Sequence, residues 1–221
     1  MTAASSTADF YPVLNAAAAA ALWKKTYTEK DVAAVLAKEI LSIQDLSVLL
    51  SPAAEPFLEA IAQKAGEIAV RQFGRTVQFF APLYLADFCT NRCVYCGFNA
   101  SRRFVRHLLT PPEVEAEAVS IASTGLRRIL ALTGDDPART GADYLADCVN
   151  VLARHFSSVG IEVPAMTPEE YSGLVDAGAD SMTMFQETYN EVLYARLHPA
   201  GPKRNFRYRL GAPGRAAEGG M

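Results

Sequence analysis

No apolar run in this sequence is long enough to cross a bilayer. The longest, from Leu14 to Trp23 with six consecutive alanines, falls well short of the ~20 residues a spanning helix needs. It does not have the layout of a signal peptide either, because Lys24 and Lys25 follow the run and Asp9 precedes it. An N-terminal helix is the expectation there. Excess charge is also lacking: 21 Lys and Arg against 24 Asp and Glu leave a net −3, which argues against nucleic acid as the main partner. Cysteine is scarce, at four residues, and three of the four crowd into eight positions. Pairing two of those three as a disulfide would leave a thiol over. Clustered, odd-numbered thiols without an export signal point to a reducing cytoplasm.

The composition is that of a globular protein, with 50% hydrophobic and 20% charged residues in a chain of 221, enough for a domain with a real core. Residues 1–12 read as loose and polar. Residues 1–75 then read as a helical lead-in with explicit start signals. Thr28-Glu29-Lys30-Asp31 resembles a capping box and leads into Val32, Val35, Leu36 and Ile40 at helical spacing. Ser51-Pro52-Ala53-Ala54-Glu55 is a second box, opening a helix that runs to about Phe73 and stops at Gly74.

From residue 76 to 221 the period changes to strand–helix alternation. Strands are expected over Val77–Leu85, Arg128–Thr133, Val159–Val163 and Ser181–Gln186. Helices are expected to start at Thr110-Pro111-Pro112-Glu113, near Ala142 (running to Phe156), at Thr167-Pro168-Glu169-Glu170 and at Thr188-Tyr189-Asn190-Glu191. Gly211 to Met221 reads as an interrupted helix. Such alternation implies an α/β fold with a parallel sheet, and four strand–helix units make a partial (β/α) barrel, since a closed one takes ~250 residues. Four strands leave two open sheet edges. The unusual residues fall after the strands, where a (β/α) barrel carries its chemistry: cysteines after the first, Thr133-Gly134-Asp135 after the second, Glu162 at the end of the third, Gln186-Glu187 after the fourth.

The cysteines Cys89, Cys93 and Cys96 are spaced Cys-x3-Cys-x2-Cys on the loop leaving the first strand. Three thiolates on one short loop can surround an inorganic centre. A [4Fe–4S] cluster usually takes four cysteines, so three leave one iron open to a small molecule. Zinc is the alternative, but a structural zinc site wants four ligands. Cys148 lies mid-helix and reads as a core thiol, and His107 is the only imidazole nearby. Taken singly, Thr133-Gly134-Asp135 is also a plain strand-ending turn, Glu162 a strand-end charge and Arg196 a helix-end arginine balancing the dipole. His155 and His198 read as surface or packing residues, and Arg102, Arg103 and Arg106 as a solvated loop.

The cysteine spacing, with Tyr95 before the third cysteine, is the signature of the radical S-adenosylmethionine (SAM) enzymes. Phe73-Gly74-Arg75-Thr76 through Leu85, Cys96-Gly97-Phe98, Leu132-Thr133-Gly134-Asp135 and Phe185-Gln186-Glu187-Thr188-Tyr189-Asn190-Glu191 resemble their aromatic-amino-acid lyase branch. So does the run from Tyr194 through His198 to Gly201-Pro202-Lys203. Within that branch the chain resembles the tyrosine lyases of thiamine biosynthesis, the 2-iminoacetate synthases. The resemblance implies a [4Fe–4S] cluster and SAM as cofactors and L-tyrosine as substrate, cleaved at Cα–Cβ by a deoxyadenosyl radical to 2-iminoacetate (dehydroglycine) and p-cresol. It implies thiazole synthase, and an electron donor such as flavodoxin or ferredoxin, as partners. It assigns Cys89, Cys93 and Cys96 to the cluster and Tyr95 to the SAM adenine. Thr133, Gly134 and Asp135, where the family has Thr-Gly-Glu, go to the SAM ammonium, Glu162 to the ribose, and Arg196 to the SAM carboxylate. The alternatives are another lyase of the branch, of the [FeFe]-hydrogenase maturase type, and a non-catalytic fragment that binds only cluster or SAM. The family continues well beyond the position of Met221, so this chain is expected to load a cluster poorly and to turn over little or no tyrosine.

Overall fold

The computed structural model of the protein describes residues 26–221. The loose segment 1–12 and the alanine-rich helix over Leu14–Trp23 lie outside the described residues. Two compact units are present, one ending at Gln78 and the other running from Phe79 to Met221.

The first unit is helical. Helix α1, Glu29–Leu36, starts at the expected capping box: Asp31 Oδ2 accepts from the Thr28 amide at 2.8 Å, and Thr28 Oγ1 accepts from the Asp31 amide at 3.4 Å. Val32 and Val35 are buried as expected, but the helix ends before Ile40, which is 84% exposed. Helix α2, Ile43–Leu49, was not anticipated, although Ser42 and Asp45 form the same reciprocal box. The Ser51 box does not form. Ser51 Oγ donates to the Val48 carbonyl, and Pro52–Phe57 winds as a 3-10 helix. Pro56 explains this, because the residue before a proline avoids the α region and the ring removes a donor. Helix α3, Leu58–Phe73, begins only after it and stops at Gly74, as the sequence indicates. Val32, Val35, Val48 and Ala54 make a small core of their own.

The second unit is a four-stranded parallel sheet in the order β1-β2-β3-β4: Ala81–Ala86, Arg128–Thr133, Ser158–Glu162 and Ser181–Met182. Helices α4 (Pro111–Ser123), α5 (Ala142–Leu152) and α6 (Pro168–Asp176) connect the strands in turn. This is the partial (β/α) barrel expected. The strand bounds differ from expectation at both edges. Residues 77–80 are not strand: pairing with β2 begins at Ala81, opposite Ile129, and Val77 and Phe79 are each 73% exposed. β4 is two residues, not six, because only Ser181 and Met182 pair with β3. Helix α5 also ends sooner than expected, at Leu152 rather than Phe156.

Alternation along β1 sets the layers. Leu83 and Leu85 are buried, while Pro82 and Tyr84 point the other way and stay exposed. Leu83, Leu85, Ile129, Ala131, Val159 and Ile161 join Val114, Leu145, Leu152, Tyr171 and Leu174 from the helices in one core. Cys148 is fully buried within it, as expected of a core thiol. Helix α7, Glu191–Leu197, is capped by Asn190, whose side chain accepts from the Leu193 amide, rather than by Thr188. A 3-10 turn (Pro202–Arg204) and helices α8 (Phe206–Leu210) and α9 (Ala212–Glu218) finish the chain, with α9 packed on α6. The interruption expected near Gly211 is the junction of α8 and α9.

Candidate active site at the C-terminal strand ends

The cysteine loop leaves β1 and returns to it. Ala86 bridges Leu108, the Asp87 amide donates to the His107 carbonyl, and the Leu109 amide donates to the Leu85 carbonyl. Arg106, read from sequence as solvated, closes this loop from inside. Its guanidinium donates to the carbonyls of Asp87, Phe98 and Asn99, the last two at 3.1 and 3.0 Å. Arg102 and Arg103 are exposed as expected.

Two other segments hold the loop in place. From the end of β2, the Asp135 carbonyl accepts from the Thr90 amide at 2.8 Å and from its hydroxyl at 2.9 Å. From the end of α7 and just beyond it, the carbonyls of Leu197 and Ala200 accept from the amides of Val94 and Arg92, both at 3.0 Å. Both seams require glycine. A Cβ on Gly134 would lie 2.1 Å from the Phe88 carbonyl oxygen, and one on Gly201, at φ +98°, would lie 2.3 Å from Asn91 Oδ1.

Cys89, Cys93 and Cys96 line one cavity of about 240 Å³ with Tyr84, Leu132, Thr133, Gly134, Asp135 and Glu162. Every one of these comes from the C-terminal end of a strand or the loop after it, apart from Tyr84 within β1. The cysteines are free, Cys93 buried and the other two half-buried. Burial pushes the Cys93 thiol up from its ordinary pKa, so a thiolate there gains from a cation against it. Among the described residues no three His, Cys, Asp or Glu side chains gather as they would around a single metal ion.

The Thr-Gly-Asp turn presents unspent hydrogen-bonding capacity to this cavity. Thr133 Oγ1 and Asp135 Oδ1 are buried without partners, while Asp135 Oδ2 accepts from Asn91 Nδ2 at 2.7 Å. Burial raises the Asp135 carboxyl, against the lowering effect of Asn91 and of Arg209 and Lys203. Buried orphan acceptors of this kind cost stability until a donor meets them, and a cationic donor meets both requirements. A neighbouring cavity of about 370 Å³ shares Asp135, Pro164, Lys203 and Arg209 with the first.

Of the residues singled out from sequence, the cavity brings together Cys89, Cys93, Cys96, Tyr95, Thr133, Gly134, Asp135 and Glu162. It does not include Arg196, which is exposed on α7. The basic residues that line it are Lys203 and Arg209, which sequence reading passed over. Arg209 donates Nε and Nη2 to the Phe185 carbonyl at 3.2 and 2.7 Å. Lys203 lies in the Gly-Pro-Lys run already noted, and that was the only available signal. His198, expected to be a surface or packing residue, is fully buried, with Nδ1 donating to the Tyr194 carbonyl at 2.8 Å and Nε2 2.7 Å from the Tyr95 hydroxyl. Burial lowers its pKa, so the ring is held neutral with its proton on Nδ1.

Residues 83–221 match the radical SAM superfamily. The chain is 40% identical over 194 residues to a 2-iminoacetate synthase of Salmonella typhimurium and 39% identical to that of Escherichia coli, covering 88% of this chain and 52% of each relative. It is 29% identical over 167 residues to the [FeFe] hydrogenase maturase subunit HydE of Thermotoga maritima, covering 73% of this chain and 44% of that one. Among solved structures, HydG, a maturase of the [FeFe]-hydrogenase, superposes with a TM-score of 0.90 at 29% identity, over 95% of this chain and 49% of that one. Methylornithine synthase (PylB), at 22% identity and a TM-score of 0.70 over 86% of this chain and 56% of that one, shares the fold. The chain thus spans about half the length of the relatives it matches.

Proposed function

Given that the chain belongs to the radical SAM superfamily, whose proteins use a [4Fe–4S] cluster and SAM, we propose that it is a radical SAM lyase acting on the Cα–Cβ bond of L-tyrosine, yielding 2-iminoacetate and p-cresol for thiamine synthesis. The observation that carries this reading is the identity of about 40% to two 2-iminoacetate synthases across 88% of this chain.

The residues fit the cofactors. Cys89, Cys93 and Cys96 line one cavity, and three thiolates suit a cube in which each bonds a different iron, whereas a structural zinc site wants four ligands. The orphaned oxygens of Thr133 and Asp135 suit an amino-acid ammonium, and Asp135 supplies the charge despite being one methylene shorter than glutamate. Glu162, at the same cavity, suits the ribose hydroxyls. Tyr95 stays the candidate for the adenine, with its hydroxyl tied down so that only the ring is free to make that contact. Arg209 is better placed than Arg196 to receive a carboxylate, because it lines the cavity. When bound, the cluster and SAM supply one-electron reduction and a radical that abstracts hydrogen. The chain's own residues bind, orient and exclude water.

The sequence reading expects poor cluster loading; against it, every partner of the cysteine loop described above lies between Leu85 and Lys203, so we propose that these 221 residues load the cluster themselves. Tyrosine turnover is not expected of them. Joined to the C-terminal half of the Salmonella relative, reconstituted anaerobically and given SAM and a reductant, the protein is expected to release p-cresol from tyrosine, while the chain alone releases little. No p-cresol from the joined protein, with deoxyadenosine still formed, contradicts the choice of substrate. A lyase of the hydrogenase-maturase type is the second reading, favoured by the superposition on HydG.

A further inference from the structure

Asn91, between the first two cysteines, is 1% exposed and fully engaged. Its Nδ2 donates to Asp135 Oδ2 at 2.7 Å and lies 3.7 Å from Cys89 Sγ, within hydrogen-bonding range for sulfur. Its Oδ1 accepts from the Lys203 amide at 2.8 Å, and its own carbonyl accepts from the Ala100 amide at 2.8 Å. One side chain thus touches a cysteine of the loop, the carboxylate after β2 and the turn after α7. The close approach of Gly201, which leaves no room for a Cβ, holds it there. Because Asn91 occupies Oδ2 of Asp135, the other oxygen is the one left buried and unspent.

We propose that Asn91 is a positioning residue with two effects: it fixes the Asp135 carboxylate so that Oδ1 receives the ammonium of SAM, and it donates to the Cys89 sulfur, raising the reduction potential of the cluster bound there. This rests on the reading of Cys89, Cys93 and Cys96 as cluster ligands. Hydrogen bonds to ligand sulfur stabilise the reduced, more negative cluster, and they are among the determinants of iron–sulfur potentials. A hydrogen bond to a charged group held in place before the ligand arrives contributes affinity by removing the cost of ordering it. The amide alone supplies both donations. Aspartate at this position would set a second carboxylate against Asp135 and leave both the sulfur and the carboxylate without a donor.

The test uses the reconstituted 221-residue chain in four forms: wild type, Asn91→Leu, Asn91→Asp, and the exchange N91D/D135N. Iron and sulfide content, a spectroelectrochemical midpoint and SAM affinity, read from the change in the electron paramagnetic resonance signal, are measured on each. Asn91→Leu is expected to keep most of its iron while its midpoint falls and its SAM affinity drops roughly ten-fold or more. The exchange restores a donor–acceptor pair between the two positions, so it regains the thermal stability lost in Asn91→Asp. It regains neither the potential nor SAM binding, having lost both the sulfur donor and the carboxylate. Variants that load iron and match wild type in both midpoint and SAM affinity overturn the inference alone. A wild type that takes up no cluster overturns the parent reading and this inference with it.

Discussion

The Tyr95 hydroxyl lies 2.6 Å from Glu187 Oε1, joining the cysteine loop to a residue 92 positions later on the segment after β4. It also lies 2.7 Å from His198 Nε2 and accepts from Lys203 Nζ at 2.9 Å, and Lys203 Nζ donates to Glu187 Oε1 at 2.5 Å. The phenol has one proton and two acceptors, the carboxylate and the neutral imidazole. Burial, then Glu187, hold the phenol above its usual pKa range, so it stays a donor. Burial works to raise Glu187, but hydrogen bonds from Lys203 and Tyr95 outweigh it and keep the carboxyl below its usual range.

Tyr95→Phe removes the hub of this network and leaves the ring. The remaining partners lose their common member, at a cost of about 1–2 kcal/mol in unfolding free energy, with Tyr95 about half exposed. Urea denaturation checks this. A midpoint equal to wild type would show that Glu187, Lys203 and His198 satisfy one another without the hydroxyl.

Gly134→Ala drives a methyl into the Phe88 carbonyl and to 3.1 Å from Cys89 Cβ. The backbone before the first cysteine must move, costing about 1–3 kcal/mol and lowering iron uptake. Gly66→Ala, on α3 with nothing within 4 Å of the added Cβ, is the control, expected to stabilise by about 0.5–1 kcal/mol. Gly134→Ala is expected to fall below wild type in both iron content and thermal midpoint, while Gly66→Ala keeps wild-type iron content and is no less stable.

Acid is expected to act on the first unit through Asp45. The Lys38 ammonium, 2.6 Å from Oδ1, and then the Ser42 amide and hydroxyl lower its carboxyl from 3.8 to about 2. A carboxyl lowered on folding stabilises above its unfolded value, and that contribution is lost as pH falls through the folded one. Helical circular dichroism from residues 26–78 should therefore weaken between about pH 4 and pH 2. Asp45→Asn should flatten that dependence, and an unchanged titration in the variant would exclude Asp45 as its source.

Much of this was legible in the sequence because it is local. Cysteine spacing, the Thr28, Thr110 and Thr167 capping boxes and the βα alternation depend on residues a few positions apart. What escaped depends on distant partners. Val77–Phe80 looks like strand, but pairing with β2 begins only at Ala81. Arg106 looks solvated, yet the loop's own carbonyls surround it. His198 and Lys203 take their roles from Tyr95, more than a hundred positions away, and Arg209 enters the cavity from a short helix that no periodicity announced. Ser51 failed in the opposite way: a good local signal was overridden by Pro56 four residues beyond the first proline.

The most direct test of the account is anaerobic reconstitution of the chain with iron and sulfide, followed by electron paramagnetic resonance of the reduced protein with and without SAM. The account predicts about four irons and four sulfides per chain, lost when Cys89, Cys93 and Cys96 are replaced together, and a signal that changes when SAM is added. One zinc ion per chain, or a cluster whose signal is indifferent to SAM, would contradict it.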